Sequence, residues 1–137
     1  MDRSSVQAWL DRYSHAWETY DEVEIASLFS DDAVYRYHPY DEGDDVERGR
    51  EAIVASWVAP EGSASSRDAA GTYEGRYAPY AVEGDRAVAV GRSTYWTDAT
   101  RAAVRTIYYN VYLLVFDADG RCRSFTEHFM EQPASKA

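Results

Sequence analysis

The chain has 137 residues, a length that predicts one domain over 1–137, and its twenty-four Asp and Glu against fourteen Lys and Arg give a formal net charge of -10. That balance, with no basic stripe to offset it, repels a phosphate backbone and sets nucleic acid aside as a partner. No stretch approaches the roughly 18 apolar residues that span a bilayer, Met1-Asp2-Arg3-Ser4-Ser5 holds no apolar signal core, and Cys122 is the sole cysteine, so the expectation is a cytoplasmic protein with no membrane partner and no intrachain disulfide.

Val6, Trp9, Leu10, Tyr13, Trp17 and Tyr20 recur at steps of three and four, the apolar stripe of one helix. Ser4 and Gln7 have capping-box spacing and place its start near Ser5. Asp21 and Glu24 repeat that spacing at the mouth of a shorter helix carrying Val23, Ala26 and Phe29, with a bend near Tyr20. After Asp31-Asp32 the period changes to two, and Ala33 to Tyr40 reads as a strand ending around Pro39. Residues 41–45 form an acidic loop. Gly49 to Ala59 returns to helical spacing through Ile53 and Trp57, with Pro60 as its stop. Residues 61–70, rich in Ser, Ala and Gly, read as a mobile connection.

Strands follow. Thr72–Val82, Ala87–Thr97, Val104–Phe116 and Arg121–Glu131 are rich in β-branched and aromatic residues, with turn chemistry at Glu83-Gly84-Asp85 and Asp117-Ala118-Asp119-Gly120. Helices gathered first and strands afterwards predict an α+β domain. In the penultimate strand one face carries Thr106, Tyr108, Asn110, Tyr112 and Leu114, and the other carries Ile107, Tyr109, Val111, Leu113 and Val115. Both faces are apolar, yet only three short helices exist to cover them. The helices cover one face, and a second copy of the chain is expected on the other, giving a homodimer through the aliphatic outer face.

The order of these elements, with Arg12-Tyr13, Leu28-Phe29-Ser30-Asp31-Asp32-Ala33 and Phe116-Asp117-Ala118-Asp119-Gly120-Arg121, resembles bacterial ketosteroid isomerase within the nuclear transport factor two-like superfamily. Tyr35-Arg36-Tyr37-His38-Pro39 and Gly49-Arg50-Glu51-Ala52-Ile53 are more similar to its SnoaL-like branch, whose understood members are polyketide cyclases. The resemblance implies a cone-shaped curved sheet, mixed or antiparallel, packed against three N-terminal helices and enclosing a pocket. It carries the isomerase's tyrosine donor onto Tyr13. The isomerase's base falls on Tyr37 and its acidic donor on Tyr112, so neither carboxylate is present and that mechanism is not implied. The fold hosts many chemistries, so function rests on the site.

The same register turns Phe125, Glu127 and Phe129 of the last strand into the cone. Glu127 is then a carboxylate among aromatic rings, where burial raises its pKa and poises it as a general base or acid. The alternative is a structural Glu paired with an Arg, or one in water. Arg92, in phase with Val88 and Val90, is the arginine placed to share the cavity; otherwise it sits in solvent at the strand surface. Tyr13, Asn110 and Tyr112 are candidates to hold a ligand oxygen, Tyr13 alternatively packing on the sheet. Trp17, Tyr37 and Trp57 complete the expected binding wall. His38 either faces outward or is turned by Pro39 to the pocket mouth as a proton shuttle. No paired histidine or cysteine spacing suggests a metal, and no phosphate cradle or nucleophile elbow suggests a cofactor. The expected partner is a hydrophobic small molecule. The expected chemistry is cofactor-free isomerisation, cyclisation or dehydration, with a non-catalytic binding or structural module as the rival.

Overall fold

The computed structural model describes residues 1–59 and 68–136. Three helices, α1 (Arg3–Thr19), α2 (Glu22–Ser27) and α3 (Arg50–Trp57), pack on one side of a sheet built from β1 (Phe29–Arg36), β2 (Glu47–Arg48), β3 (Tyr73–Glu83), β4 (Arg86–Trp96), β5 (Val104–Phe116) and β6 (Cys122–Glu131). The strand order is β2-β1-β6-β5-β4-β3, with β1 parallel to β6 and every other pair antiparallel. This is the expected α+β class with a mixed sheet.

Local chemistry accounts for the helix ends. Asp2, not Ser4, caps α1: its carboxylate accepts from the Ser5 amide at 2.7 Å while Ser5 Oγ accepts from the Asp2 amide at 2.9 Å. Tyr20 adopts φ 53° and ends the helix, its amide donating to the Ala16 carbonyl. Asp21 caps α2 through the Glu24 amide at 3.0 Å, as the spacing predicts. In α2 the buried residue is Ile25, while Val23 faces solvent. β1 starts earlier than the alternation suggests, at Phe29, because a register shift between Phe29 and Val34 accommodates exposed Asp31 and Asp32. It stops at Arg36, and His38 to Asp41 form a turn in which the Asp41 carboxylate accepts the His38 amide at 2.9 Å. Residues 60–67, including Pro60 and most of the expected mobile connection, lie outside the described residues.

β3 is an edge strand, and α1 blocks it. Arg3, Gln7 and Ser14 donate to the carbonyls of Pro79, Tyr77 and Gly75 at 2.6, 2.9 and 3.0 Å. Helical spacing on α1 thus meets three successive outward-facing carbonyls of the strand, one at every second residue, which removes the acceptors another strand would need there. Gln7, read from its spacing as a cap, is spent here.

The expected alternation of β5 holds. Asn110, Tyr112, Leu114 and Phe116 are buried toward the helices, and Tyr109, Val111 and Leu113 are 50%, 36% and 43% exposed on the other face. The core beneath α1 is aromatic: Trp9, Tyr13, Tyr35, Trp57, Phe116 and Phe125 are all essentially inaccessible. Trp9 donates its indole N–H to the Leu28 carbonyl at 3.0 Å, so its burial leaves no orphaned donor.

Candidate active site

Between α1 and the inner face of the sheet lies a cavity of about 430 Å³, within the range of small-ligand pockets. Tyr13 and Trp17 come from α1, Tyr37 follows β1, Ser93 and Tyr95 come from β4, Asn110 and Tyr112 from β5, and Glu127 and Phe129 from β6. Seven of the expected site residues therefore converge: Tyr13, Trp17, Tyr37, Asn110, Tyr112, Glu127 and Phe129. Strand alternation does this, because Asn110 pairs with Phe129 and Tyr112 with Glu127 across the β5–β6 ladder, all on one face.

Glu127 is the carboxylate at the centre of this wall. Asn110 Nδ2 donates to its Oε1 at 2.7 Å. Burial raises its pKa from 4.5 to about 7, the Asn110 hydrogen bond opposing the shift. A carboxyl there is poised near half-ionised at neutrality, the condition that suits a group both taking and returning a proton. Among the described residues no cation offsets this, since the arginine that lines the cavity, Arg105, pairs with Asp68 at 3.1 Å and lies over the Tyr95 ring.

The tyrosines fall into two sets. Tyr13 shares a hydrogen bond with Tyr35 at 3.2 Å. Burial, then the negative charge of Glu127, keeps the Tyr13 hydroxyl well above its usual pKa. Tyr112 is likewise raised by burial. Tyr37 bonds Ser56 Oγ at 2.7 Å. On the other wall a chain of hydrogen bonds runs from Tyr73 to Tyr77 (2.6 Å), Tyr77 to Ser93 (2.6 Å), Ser93 to Asn110 Oδ1 (2.8 Å) and so to Glu127. All these hydroxyls are neutral donors at physiological pH.

Four expectations need correction. Arg92 is exposed on the outer face, paired across the ladder with Tyr109. The phase misled because Val88 and Val90 belong outside, while the inner face of β4 uses Ala87, Ala89 and Ser93, small residues that leave room for helices and cavity. Phe125 and Trp57 do not line the cavity. Phe125 stacks on Tyr35 at 4.3 Å and 4°, and Trp57 lies behind Trp17 at 4.0 Å and 17°, both wholly buried in the floor. His38 turns outward: Asp41 Oδ1 holds its Nδ1 at 3.1 Å, and it stacks with Tyr40 over an outer groove shared with Val111, His128 and Met130. His15 is exposed and pairs with Glu24.

The sequence reading missed Tyr73, Tyr77 and Ser93. Tyr73-Glu74-Gly75-Arg76-Tyr77 puts two tyrosines and the glycine between them on one face. A Cβ at Gly75 would stand 2.1 Å from the Tyr73 hydroxyl and 2.7 Å from that of Tyr77, so the hydroxyls meet in the space this glycine leaves. The signal was an alternating Tyr-x-Gly-x-Tyr, a strand glycine marking close approach.

Among the described residues no group of three or more His, Cys, Asp or Glu side chains is placed to hold a metal, and no helix is long and apolar enough to cross a membrane. Cys122 is buried, which pushes its thiol up to about 12.

A curved sheet wrapped on three helices around a small aromatic cavity defines the class: an α+β cone with a cavity between helix and sheet. The SnoaL-like domain model matches residues 10–125, and the protein belongs to that family. No curated protein matches the chain. Solved structures share the fold. An NTF2-like protein with a cystatin-like fold from Novosphingobium aromaticivorans superposes with a TM-score of 0.66 at 18% identity, covering 98% of this chain and 85% of that one. A putative polyketide cyclase from Sinorhizobium meliloti gives 0.59 at 22% identity, covering 90% and 98%. An LEH-like epoxide hydrolase from M. tuberculosis gives 0.61 at 11% identity, covering 93% and 84%.

Proposed function

We propose that this protein is a cofactor-independent acid/base enzyme that takes a proton from a carbon acid beside a carbonyl, in a cyclisation, isomerisation or dehydration of a hydrophobic metabolite. The observation that carries the reading is Glu127: a carboxyl with pKa raised to about 7, inside a cavity lined by tyrosines, held among the described residues by the Asn110 amide and by no cation. In this reading Glu127 abstracts the α-proton and returns it at another carbon or oxygen. Neutral tyrosine hydroxyls of the same wall, Tyr13 and Tyr112 foremost, receive the developing enolate charge. Trp17, Tyr37 and Phe129 supply the apolar walls. His38, turned to the outer groove, takes no part.

The working form is a homodimer, formed through the outer face that leaves Tyr109, Val111 and Leu113 exposed, and cytoplasmic. A second reading, a binding module without chemistry, is favoured by one observation: Tyr13 and Asn110 already have protein partners.

Hydrogen–deuterium exchange at the α-carbon of 2-tetralone, followed by NMR in D2O, separates the two. The enzyme reading expects accelerated exchange that rises through pH about 7, as Glu127 ionises. It expects about a hundredfold loss in Glu127→Gln with ketone binding retained. Equal exchange in wild type and variant, with binding intact, leaves the binding module.

A further inference from the structure

The chain of hydrogen bonds beside Glu127 has a direction. Ser93 has a single hydroxyl proton and gives it to Asn110 Oδ1. Its oxygen therefore accepts from Tyr77, and the oxygen of Tyr77 in turn accepts from Tyr73. Every hydroxyl points toward the amide, and the amide's N–H points at the carboxylate. Were Asn110 turned over, its N–H would meet Ser93 and its carbonyl would meet Glu127, an arrangement that a protonated Glu127 accepts and an ionised one does not.

Two glycines build the far part of this chain. Gly75 leaves the gap in which the Tyr73 and Tyr77 hydroxyls meet. Gly91 lies opposite Tyr77 in the β3–β4 ladder, and the place of its missing Cβ is taken by the Arg76 carbonyl oxygen and the Tyr77 ring, 2.2 and 2.4 Å away. A side chain at either position excludes the observed path of Tyr77. Tyr77 is therefore laid across the sheet with its hydroxyl on Ser93, where an ordinary cross-strand pair would have stood it upright.

We propose that Tyr77 and Ser93 are positioning residues: by donating in series they lock the sense of the Asn110 amide, so that it presents its N–H to Glu127 and favours the ionised, proton-accepting form. This deepens the acid/base reading above and rests on it for its catalytic meaning. The lock acts against the surroundings. Among the described residues Glu127 shares its cavity with Tyr13 from α1, Tyr37 beyond β1, Tyr77 from β3, Tyr95 from β4 and Tyr112 from β5, all neutral, and with Asp68 and Arg105, which neutralise one another at 3.1 Å. The Asn110 N–H is accordingly the interaction that opposes burial at this carboxyl. Removing the lock lets the amide turn its carbonyl to the protonated acid, and the midpoint moves up.

The test reads Glu127 directly and uses no turnover: NMR titration of carboxyl-13C-labelled glutamate in the full chain, with the Glu127 signal assigned by its loss in Glu127→Gln. Ser93→Ala and Tyr77→Phe are each expected to raise the Glu127 midpoint by about one pH unit, a roughly tenfold change in ionisation constant. Tyr95→Phe, which changes the same cavity outside the chain of hydrogen bonds, is expected to leave it in place. An unmoved midpoint in Tyr77→Phe and in Ser93→Ala overturns the proposal, as does an equal rise in Tyr95→Phe, which would mean that polarity of the cavity alone is responsible. Should Ser93→Ala fail to fold, Tyr77→Phe, which deletes one oxygen, decides alone. If ketone exchange proves independent of Glu127 while these midpoints shift, the catalytic reading fails and the lock stands; the converse result separates them the other way.

Discussion

Tyr35 and Tyr77 are both buried tyrosines on the inner side of one sheet, and their surroundings make them different objects. Tyr35 stacks flat on Phe125 and meets Phe29, Tyr37 and Trp57 edge-on, a ring among rings whose hydroxyl finds Tyr13. Tyr77 lies where glycines replace side chains, and its hydroxyl bridges Tyr73 and Ser93 on the way to Glu127. The floor of the cone is apolar packing in which the Tyr13 and Tyr35 hydroxyls pair with each other, while the buried indole N–H of Trp57 has no hydrogen-bond partner among the described residues. The β3–β4 wall is a polar chain supported on absent side chains. Identical chemistry becomes filler where neighbours are large and a positioned donor where neighbours are missing.

The comparison predicts a graded series of effects. Phe125→Ala removes the ring under Tyr35 and should cost about 3–5 kcal/mol in urea unfolding; a loss below about 1 kcal/mol would mean that the floor collapses and is not rigid.

Next comes the pH dependence of stability. The folded pKa of Glu127, about 7, lies above its ordinary 4.5, so the folded state binds the extra proton. The resulting stabilisation is fully present below pH about 4.5 and is lost as pH rises through about 7. After discounting for the opening to solvent, this amounts to about 2 kcal/mol. Glu127→Gln should flatten that part of the stability–pH curve, and a curve of unchanged slope in the variant would place the carboxyl in an ordinary environment.

Gly91→Ala meets the Arg76 backbone carbonyl, which cannot swing aside, and should cost about 2 kcal/mol. Gly75→Ala meets side chains and no backbone, the Tyr73 hydroxyl and the ring edge and hydroxyl of Tyr77, which can turn where a carbonyl cannot, so its stability cost should be smaller, about 1 kcal/mol. It should nevertheless separate the two hydroxyls, visible as altered tyrosine ring shifts. Equal costs at the two glycines would erase the distinction drawn between them. Leu113→Lys on the outer face should change monomer stability by about 0.5 kcal/mol or less while abolishing the expected dimer in sedimentation; a persistent dimer would mean that another surface makes it.

Much of this was legible in the chain. The alternation of β5 told inside from outside, because the pleat obliges successive residues to opposite faces. The register implied by the resemblance to the isomerase turned Glu127 to the inner face of β6, and the ladder pairs it there with Tyr112. Alternation failed for Arg92, where the aliphatic residues of β4 mark the outer face and small ones the inner. Phe125 and Trp57 were recognised as inward-facing, but lining and floor differ only in depth, which periodicity does not encode. For His38 the direction was open until the Asp41 carboxylate clamped the turn.

By itself, then, the amino-acid sequence determined the order of elements, the inward-facing set and the carboxylate among aromatics, since these follow from caps, periods and short-range sterics. Only the tertiary structure decided that Tyr73, Tyr77, Ser93 and Asn110 meet in series and end on Glu127, because their hydrogen bonds join strands far apart in the chain and depend on ångström-scale gaps left by Gly75 and Gly91. A hydrogen bond is lost over a displacement that no hydrophobic pattern resolves.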